Sequence, residues 1–161
     1  MSVFKTTFSR ALRAHKSDDA DIAYPNVIEI GTSTTVTATK LIDSLGLFIT
    51  NNVKTGDIVH NDTSNTAATV VSVDGETSIT LNANIFTATS QIYTIYSMSS
   101  QTSMGNPGCF LYIGGAGNVS VVTIGGDIIV FNGVPAGTTL PIQVRQLRST
   151  GTTATNVNAL W

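Results

Sequence analysis

Short runs in which apolar residues alternate with Thr, Ser and Asn recur along most of the chain, and residues typical of turns separate them. Alternation with a period of two is typical of β-strands that bury one face. The clearest example is the pair of runs at 67–73 and 78–81, because Asp74, Gly75 and Glu76 between them favour a hairpin turn. The pattern therefore predicts a protein built from β-strands.

Similar runs predict further strands on both sides of this hairpin. They lie at 27–30, 34–41, 58–59, 93–96, 109–113, 119–124, 128–131, 139–147 and 156–161. Gly125, Gly126 and Asp127 predict a second hairpin turn, and the glycines at 114–117 predict another turn. Many short strands at spacings of about ten residues are typical of a small barrel or sandwich.

The first 24 residues differ from the rest, because they hold half of the eight Lys and Arg residues and then an acidic cluster. Phe4, Phe8, Ala11 and Leu12 would form one stripe of a short helix. An isolated helix of about a dozen residues is marginal in water, so an extended arm is an equal alternative. Farther along the chain, the run at 97–108 is polar and rich in residues that interrupt regular structure, and it predicts a linker.

Composition changes this picture, because charged residues make up only 11% of the chain. Ordinary soluble domains have about 25%. Hydrophobic residues make up 42%, so the low charge does not indicate disorder. A folded monomer with so few charges would be poorly protected against self-association. We therefore expect partner subunits to cover much of the surface.

Charge and hydropathy also exclude two classes of partner. The formal net charge of −2 argues against a strong general attraction to nucleic acid or to acidic lipid. No apolar run approaches the ~18 residues that a membrane-spanning helix needs. We expect neither a membrane nor a specific nucleic acid as a partner.

Few residues could bind a metal or a cofactor. Cys109 is the only cysteine, so no intrachain disulfide can form, and its apolar neighbours predict a buried, inert thiol. The only histidines, His15 and His60, are far apart in the sequence, and we interpret His60 as a turn residue bonded to the backbone. Two such histidines and one buried cysteine do not predict a zinc site. We expect no cofactor.

No motif predicts an enzyme. The carboxylates mostly occupy predicted turns rather than a paired arrangement, and His60 has no nucleophile motif beside it. The glycines at 114–117 lead into a strand, whereas a phosphate-binding loop leads into a helix. Asp18, Asp19 and Asp21 offer oxygen ligands without the spacing of a calcium loop.

Six segments of the last third carry a family resemblance. In order they are LYIGGAGNV at 111–119, GGDIIVF at 125–131, VPAG at 134–137, LPIQVR at 140–145, TGTTAT at 150–155 and ALW at 159–161. Together they resemble the head spike base or capsid decoration proteins of tailed phages and gene transfer agents. In shorter members of that family a Ser-Asp-x-x-Asp segment runs almost directly into the first of these strands. Here residues 17–21 and Pro25 match that segment and its nearby proline, and about 85 residues separate Pro25 from Leu111.

The intervening residues resemble a separate module common in phage structural proteins, marked by TATKLID at 37–43, VKTGDIV at 53–59 and ATVVSVD at 68–74. The two resemblances imply an all-β fold: a small β-sandwich or jelly-roll-like domain with an inserted small β-barrel-like module. The predicted division is an N-terminal arm at 1–8, a discontinuous spike-base-like domain at 9–25 plus 100–161, and the inserted module at 26–99.

The resemblance implies a non-enzymatic structural protein of the virion, made in the host cytoplasm. Such a protein decorates the phage head, as a vertex spike base or a head or neck decoration, and anchors or presents fibres. The implied partners are the major capsid or neck protein, further copies in a symmetric homo-oligomer, and a fibre protein. Phe4, Phe8, Arg10 and Arg13 are the predicted partner contacts, because exposed aromatic side chains with arginine make favourable anchors.

The alternative function is a carbohydrate- or receptor-binding module of a phage tail or head fibre. It would require Tyr or Trp side chains that are exposed together in a groove. Core packing is the competing interpretation of these aromatic residues, and the spacing of Tyr93 and Tyr96 predicts opposite faces of one strand.

Overall fold

The computed structural model describes residues 7–98 and 108–161, and all of the regular structure in those residues is β. Its strands are β1 (Ala11–Arg13), β2 (Val27–Thr32), β3 (Lys40–Ile42), β4 (Ile58–Asn61), β5 (Thr66–Gly75), β6 (Ser78–Leu81), β7 (Ile92–Tyr96), β8 (Cys109–Gly115), β9 (Gly117–Thr123), β10 (Ile128–Val134), β11 (Thr138–Leu147) and β12 (Thr155–Leu160). The predicted all-β class is confirmed. The described residues contain no helix able to cross a membrane.

The strands form two antiparallel sheets of six strands each, one of which curls into a half-barrel. The first sheet has the spatial order β1-β12-β8-β11-β9-β10, and the second has the order β2-β7-β4-β5-β6-β3. The strand nearest the N-terminus therefore shares a sheet with the strands of the last third. The boundaries given above for the domains stay a prediction.

Both predicted hairpins form. Val73 of β5 lies opposite Ile79 of β6, and Ile128 of β10 lies opposite Val122 of β9. Gly126 in the second turn has φ 96°, a conformation that glycine adopts without steric cost. Local pattern and turn chemistry therefore suffice to specify these two strand pairs.

Two local predictions are wrong, and one of two alternatives fails. The strand expected at 34–41 is confined to β3, because Thr39 adopts φ 57° and turns the chain. The glycines at 114–117 do not form an isolated turn: β8 runs to Gly115 and β9 begins at Gly117. The helix alternative fails at Ala11 and Leu12, since both lie in β1, which pairs with β12.

Each sheet buries its own apolar cluster. The cluster of the first sheet includes Leu111, Val121 and Val144, and the cluster of the second includes Phe48, Phe86, Tyr93 and Ile95. Cys109 belongs to the first cluster, as predicted, and burial raises the pKa of its thiol to about 12. Fully burying one large apolar side chain, such as Leu111 or Phe48, stabilises a fold by about 1.5–3 kcal/mol.

The connection between β1 and β2 lies against both sheets. Its backbone binds the first sheet, where the amides of Ser17 and Ile22 donate to Leu147 O at 2.9 Å and Arg145 O at 2.8 Å. Its side chains bind the second sheet, where Ser17 Oγ donates to Ala67 O at 2.9 Å. A third small cluster, including Ala20, Ala23, Ile58, Ala67 and Tyr96, fills the space between them.

As a result, β4 is buried along its whole length. Val59 faces the apolar cluster of the second sheet, while Ile58 faces the β1–β2 connection. A side chain at either face of β4 is therefore removed from water.

Candidate functional site

Three consecutive apolar residues are exposed on β10, and we define them as the β10 edge: Ile128, Ile129 and Val130. These side chains are 62%, 42% and 42% exposed. β10 is the last strand of the first sheet, so within the described residues only β9 pairs with it. The strand contains no charged residue and no proline, the usual devices that block pairing at an edge. Its register with β9 shifts after Phe131, so the regular part of the edge is residues 128–131.

The predicted partner contacts of the arm lie at the opposite edge of the same sheet. Phe8 is half-buried, with its ring centroid 5.6 Å from that of Phe110. Arg10 Nη1 donates to Pro25 O at 2.9 Å, and the guanidinium lies 5.4 Å from the centre of the Tyr24 ring. Arg13 is exposed on β1. Phe4 lies outside the described residues, and contact of these four residues with a partner stays a prediction.

The fold brings together three residues that sequence spacing did not connect, and we call them the histidine cluster: His15, His60 and Asp62. His15 follows β1, His60 lies in β4, and their ring centroids are 3.9 Å apart. His15 Nε2 lies 3.6 Å from Asp62 Oδ1. The interpretation of His60 as a turn residue bonded to the backbone is wrong, because it is a strand residue whose Nδ1 has no hydrogen-bond partner.

The two histidines of the cluster are shielded from water. His60 is 2% exposed, and the His15 side chain is 6% exposed. Burial lowers the pKa of His60 well below its usual value, and the neighbouring His15 lowers it further. Burial also lowers the pKa of His15, although the charge of Asp62 acts in the opposite direction. Both imidazoles are therefore neutral near pH 7, the form in which a ring nitrogen can bind a metal ion.

Neighbouring side chains hold the histidine cluster in place. Thr94 Oγ1 donates to Asp62 Oδ2 at 2.7 Å and so orients this carboxylate. The ring of Tyr96 lies 4.7 Å from that of His60. A cavity of about 210 Å³ reaches His15, and its lining includes Arg13, Lys16 and Asn65. The spacing of His60 and Asp62 at i and i+2, across the end of β4, is the one signal that sequence reasoning could have used.

A second cleft, of about 320 Å³, is lined by Asp18, Asp19, Asp21 and Arg145. Two of these three acids, Asp18 and Asp21, already have partners. Asp18 Oδ2 accepts from Ser149 Oγ at 2.6 Å and from Thr150 Oγ1 at 2.7 Å, and these hydrogen bonds lower the pKa of Asp18. Arg145 Nη1 lies 2.8 Å from Asp21 Oδ1. These contacts attach the β1–β2 connection to the end of β11, which is a structural role.

Of the five Tyr and Trp residues that could bind a sugar, two are buried, two are half-buried and Tyr112 is exposed. Tyr93 and Tyr96 are buried in different clusters, on opposite faces of β7, as predicted. Tyr24 and Trp161 are half-buried, and their rings meet edge to face at 5.4 Å. Tyr93 and Tyr96 therefore cannot stack on a sugar ring.

The chain matches no protein-family model, no curated protein and no solved structure.

Proposed function

We propose that this protein is a non-enzymatic structural subunit of a phage-type virion, and that it assembles with further copies of itself through the β10 edge. The observation that carries the proposal is the row of exposed apolar side chains at 128–130 on an edge strand. The resemblance of the last third to head spike base and capsid decoration proteins supports the virion as the setting.

The chemistry of the β10 edge favours pairing with another strand. An edge strand directs unpaired N–H and C=O groups outward, and these groups are a template for a strand from another chain. Apolar side chains on such an edge leave water when a second strand covers them, at about 25 cal/mol per Å² of buried apolar area. Both contributions favour association over the monomer.

A second copy of this chain is the occupant that the edge fits best. Two β10 strands related by a two-fold axis would pair antiparallel, and their apolar side chains would lie side by side on both faces of the joined sheet. The edge carries no charge that would select a different, charged partner. The low charge of the whole chain, 11%, agrees with a subunit covered by its neighbours.

In this proposal the two edges of the first sheet have different partners. The β10 edge binds a second copy. The arm edge, with Arg13 exposed beside Phe8 and Arg10, contacts the major capsid or neck protein. A fibre protein, the third implied partner, would bind the assembled subunits.

Sedimentation velocity and light scattering of the purified protein test self-assembly. We expect the wild type to form a defined oligomer and Ile129→Lys to shift toward monomer, because a charged side chain on an edge strand opposes pairing. Ile30→Lys is the matched control, since Ile30 is 66% exposed on β2, the edge strand of the other sheet. A monomeric wild type, or equal dissociation of both variants, would contradict the role of the β10 edge.

Mass spectrometry of purified phage particles tests the virion setting separately. The protein should be present at a constant copy number relative to the major capsid protein. Its absence from particles, with self-assembly intact, would remove the virion role and leave the β10 interface standing.

The carbohydrate-binding alternative has less support, because two of the five aromatic residues it could use, Tyr93 and Tyr96, lie inside the protein.

A further inference from the structure

We propose that His15, His60 and Asp62 bind a divalent transition-metal ion of the Zn²⁺ class, and that the ion joins the β1–β2 connection to β4. One potential ligand atom from each of the three residues lies within 4.8 Å of the other two. This inference is independent of the proposed virion function, since it concerns the contact between the two sheets of one chain.

The donor set selects the class of ion. Two imidazole nitrogens and one carboxylate oxygen form a typical three-residue zinc set, which leaves the fourth position to water. Ca²⁺ and Mg²⁺ prefer oxygen ligands, so they match this set poorly.

The cluster also contains a ring nitrogen with nothing to bind. Nδ1 of His60 is buried and has no hydrogen-bond partner. Buried polar atoms almost always have a partner, because leaving one unpaired costs free energy. A metal ion bound to this nitrogen would remove that cost. Water cannot do the same, because His60 is only 2% exposed.

The surroundings resemble the outer shell of a metal site. Carboxylate ligands in such sites are themselves hydrogen-bonded, as Asp62 is by Thr94 at 2.7 Å. A metal site also needs an entry path, and the Asp62 side chain, which is 34% exposed, gives access from solvent.

Only small side-chain movements are needed to close the site. Ligands of a tetrahedral zinc ion with bonds of about 2.0–2.1 Å lie roughly 3.4 Å apart. His15 Nε2 and Asp62 Oδ1, at 3.6 Å, already have nearly this separation. His15 lies in a connection rather than in a strand, so its ring can turn with less disturbance than that of His60.

Isothermal titration of the full chain with Zn²⁺, after removal of any affinity tag and treatment with EDTA, tests the site. We expect one equivalent to bind and the melting temperature to rise with Zn²⁺ but not with Mg²⁺, because an ion that binds only the folded state stabilises it. His60→Gln and Asp62→Asn should each weaken binding at least about tenfold. Asp127→Asn, in the turn between β9 and β10, is the matched control and should bind as the wild type does.

Imidazole NMR spectra of the wild type give a readout that does not depend on a variant folding. The chain has only two histidines, so addition of Zn²⁺ should shift both ring spin systems together. Absence of binding by the wild type would overturn the proposal. So would unchanged affinity in Asp62→Asn, whose wild-type side chain is 34% exposed and which should fold even if His60→Gln does not.

Discussion

The ring of His15 lies against the ring of His60, with 3.9 Å between their centroids. This contact exists because the β1–β2 connection lies over β4 and the neighbouring β5, where Ser17 Oγ donates to Ala67 O of β5 at 2.9 Å. Two hydrogen bonds from Asn82 Nδ2 and Thr69 Oγ1 to Asp19 O, at 2.6 Å and 3.3 Å, hold the same connection. The contact between the two histidines therefore depends on the β1–β2 connection that joins the two sheets.

Replacing Gly114 by alanine should destabilise the fold. A Cβ at Gly114 would lie 2.6 Å from the carbonyl oxygen of Asn156, a backbone atom that cannot rotate away. The backbone of β8 or of β12 must shift to relieve this contact, and such a shift costs about 1–3 kcal/mol. Urea denaturation should show this loss in the free energy of unfolding.

Gly75→Ala is the matched control for Gly114→Ala. A Cβ at Gly75, at the end of β5, would have no heavy atom within 4 Å. Its unfolding midpoint should remain close to that of the wild type. Equal midpoints for the two variants would show that the packing at Gly114 does not matter.

Tyr93→Phe should destabilise the second sheet. The Tyr93 hydroxyl donates to Asp43 Oδ2 at 2.8 Å and lies 3.4 Å from Glu29 Oε1, and all three residues are buried. Removing the donor leaves a buried carboxylate with one hydrogen bond fewer. A hydrogen bond to a charged group is worth about 1.5–3 kcal/mol, and the free energy of unfolding should fall by that amount.

Tyr112→Phe provides the comparison for Tyr93→Phe, because Tyr112 is exposed on β8. It removes the same hydroxyl group without unpairing a buried carboxylate. If the two tyrosine variants lose the same free energy of unfolding, the buried hydrogen bond to Asp43 contributes no more to stability than the exposed hydroxyl of Tyr112.

Asp74 should make the stability of the protein depend on pH in the acid range. Hydrogen bonds from Lys40 Nζ at 2.7 Å and from Thr80 lower the pKa of Asp74 from 3.8 to about 2. Because the folded state has the lower pKa, this stabilisation is complete above about pH 4 and is lost as the pH falls toward 2. The side chains are about one-third exposed, so the effect should not exceed about 1 kcal/mol.

Unfolding curves for Asp74→Asn and the wild type, measured from pH 6 down to about pH 2, test this dependence. The stability difference between the two proteins should shrink across the window from pH 4 to 2. Lys40→Gln should reduce the same difference, and the double variant should show non-additivity because the two residues are in contact. A difference that stays constant down to the lowest pH would exclude Asp74 as its source.

Several features of the fold could be predicted because they depend on neighbouring residues alone. Alternating polarity identified most strands, and the glycines near Asp74 and Asp127 identified both hairpins. The apolar neighbours of Cys109 predicted its burial. The prediction of a strand at 34–41 was wrong for an equally local reason. Thr39 adopts a left-handed backbone conformation, which a threonine in the sequence does not predict.

By itself, then, the sequence determined that this protein is built from β-strands, that its charge is low, and that residues 128–131 form an apolar strand. Only the tertiary structure decided that β10 is left at an edge, that β11 lies between β8 and β9, and that β1 pairs with β12. It also brought His15 to His60. The reason is physical: periodicity records which face of a strand is buried, whereas the neighbour that buries it depends on packing between distant parts of the chain.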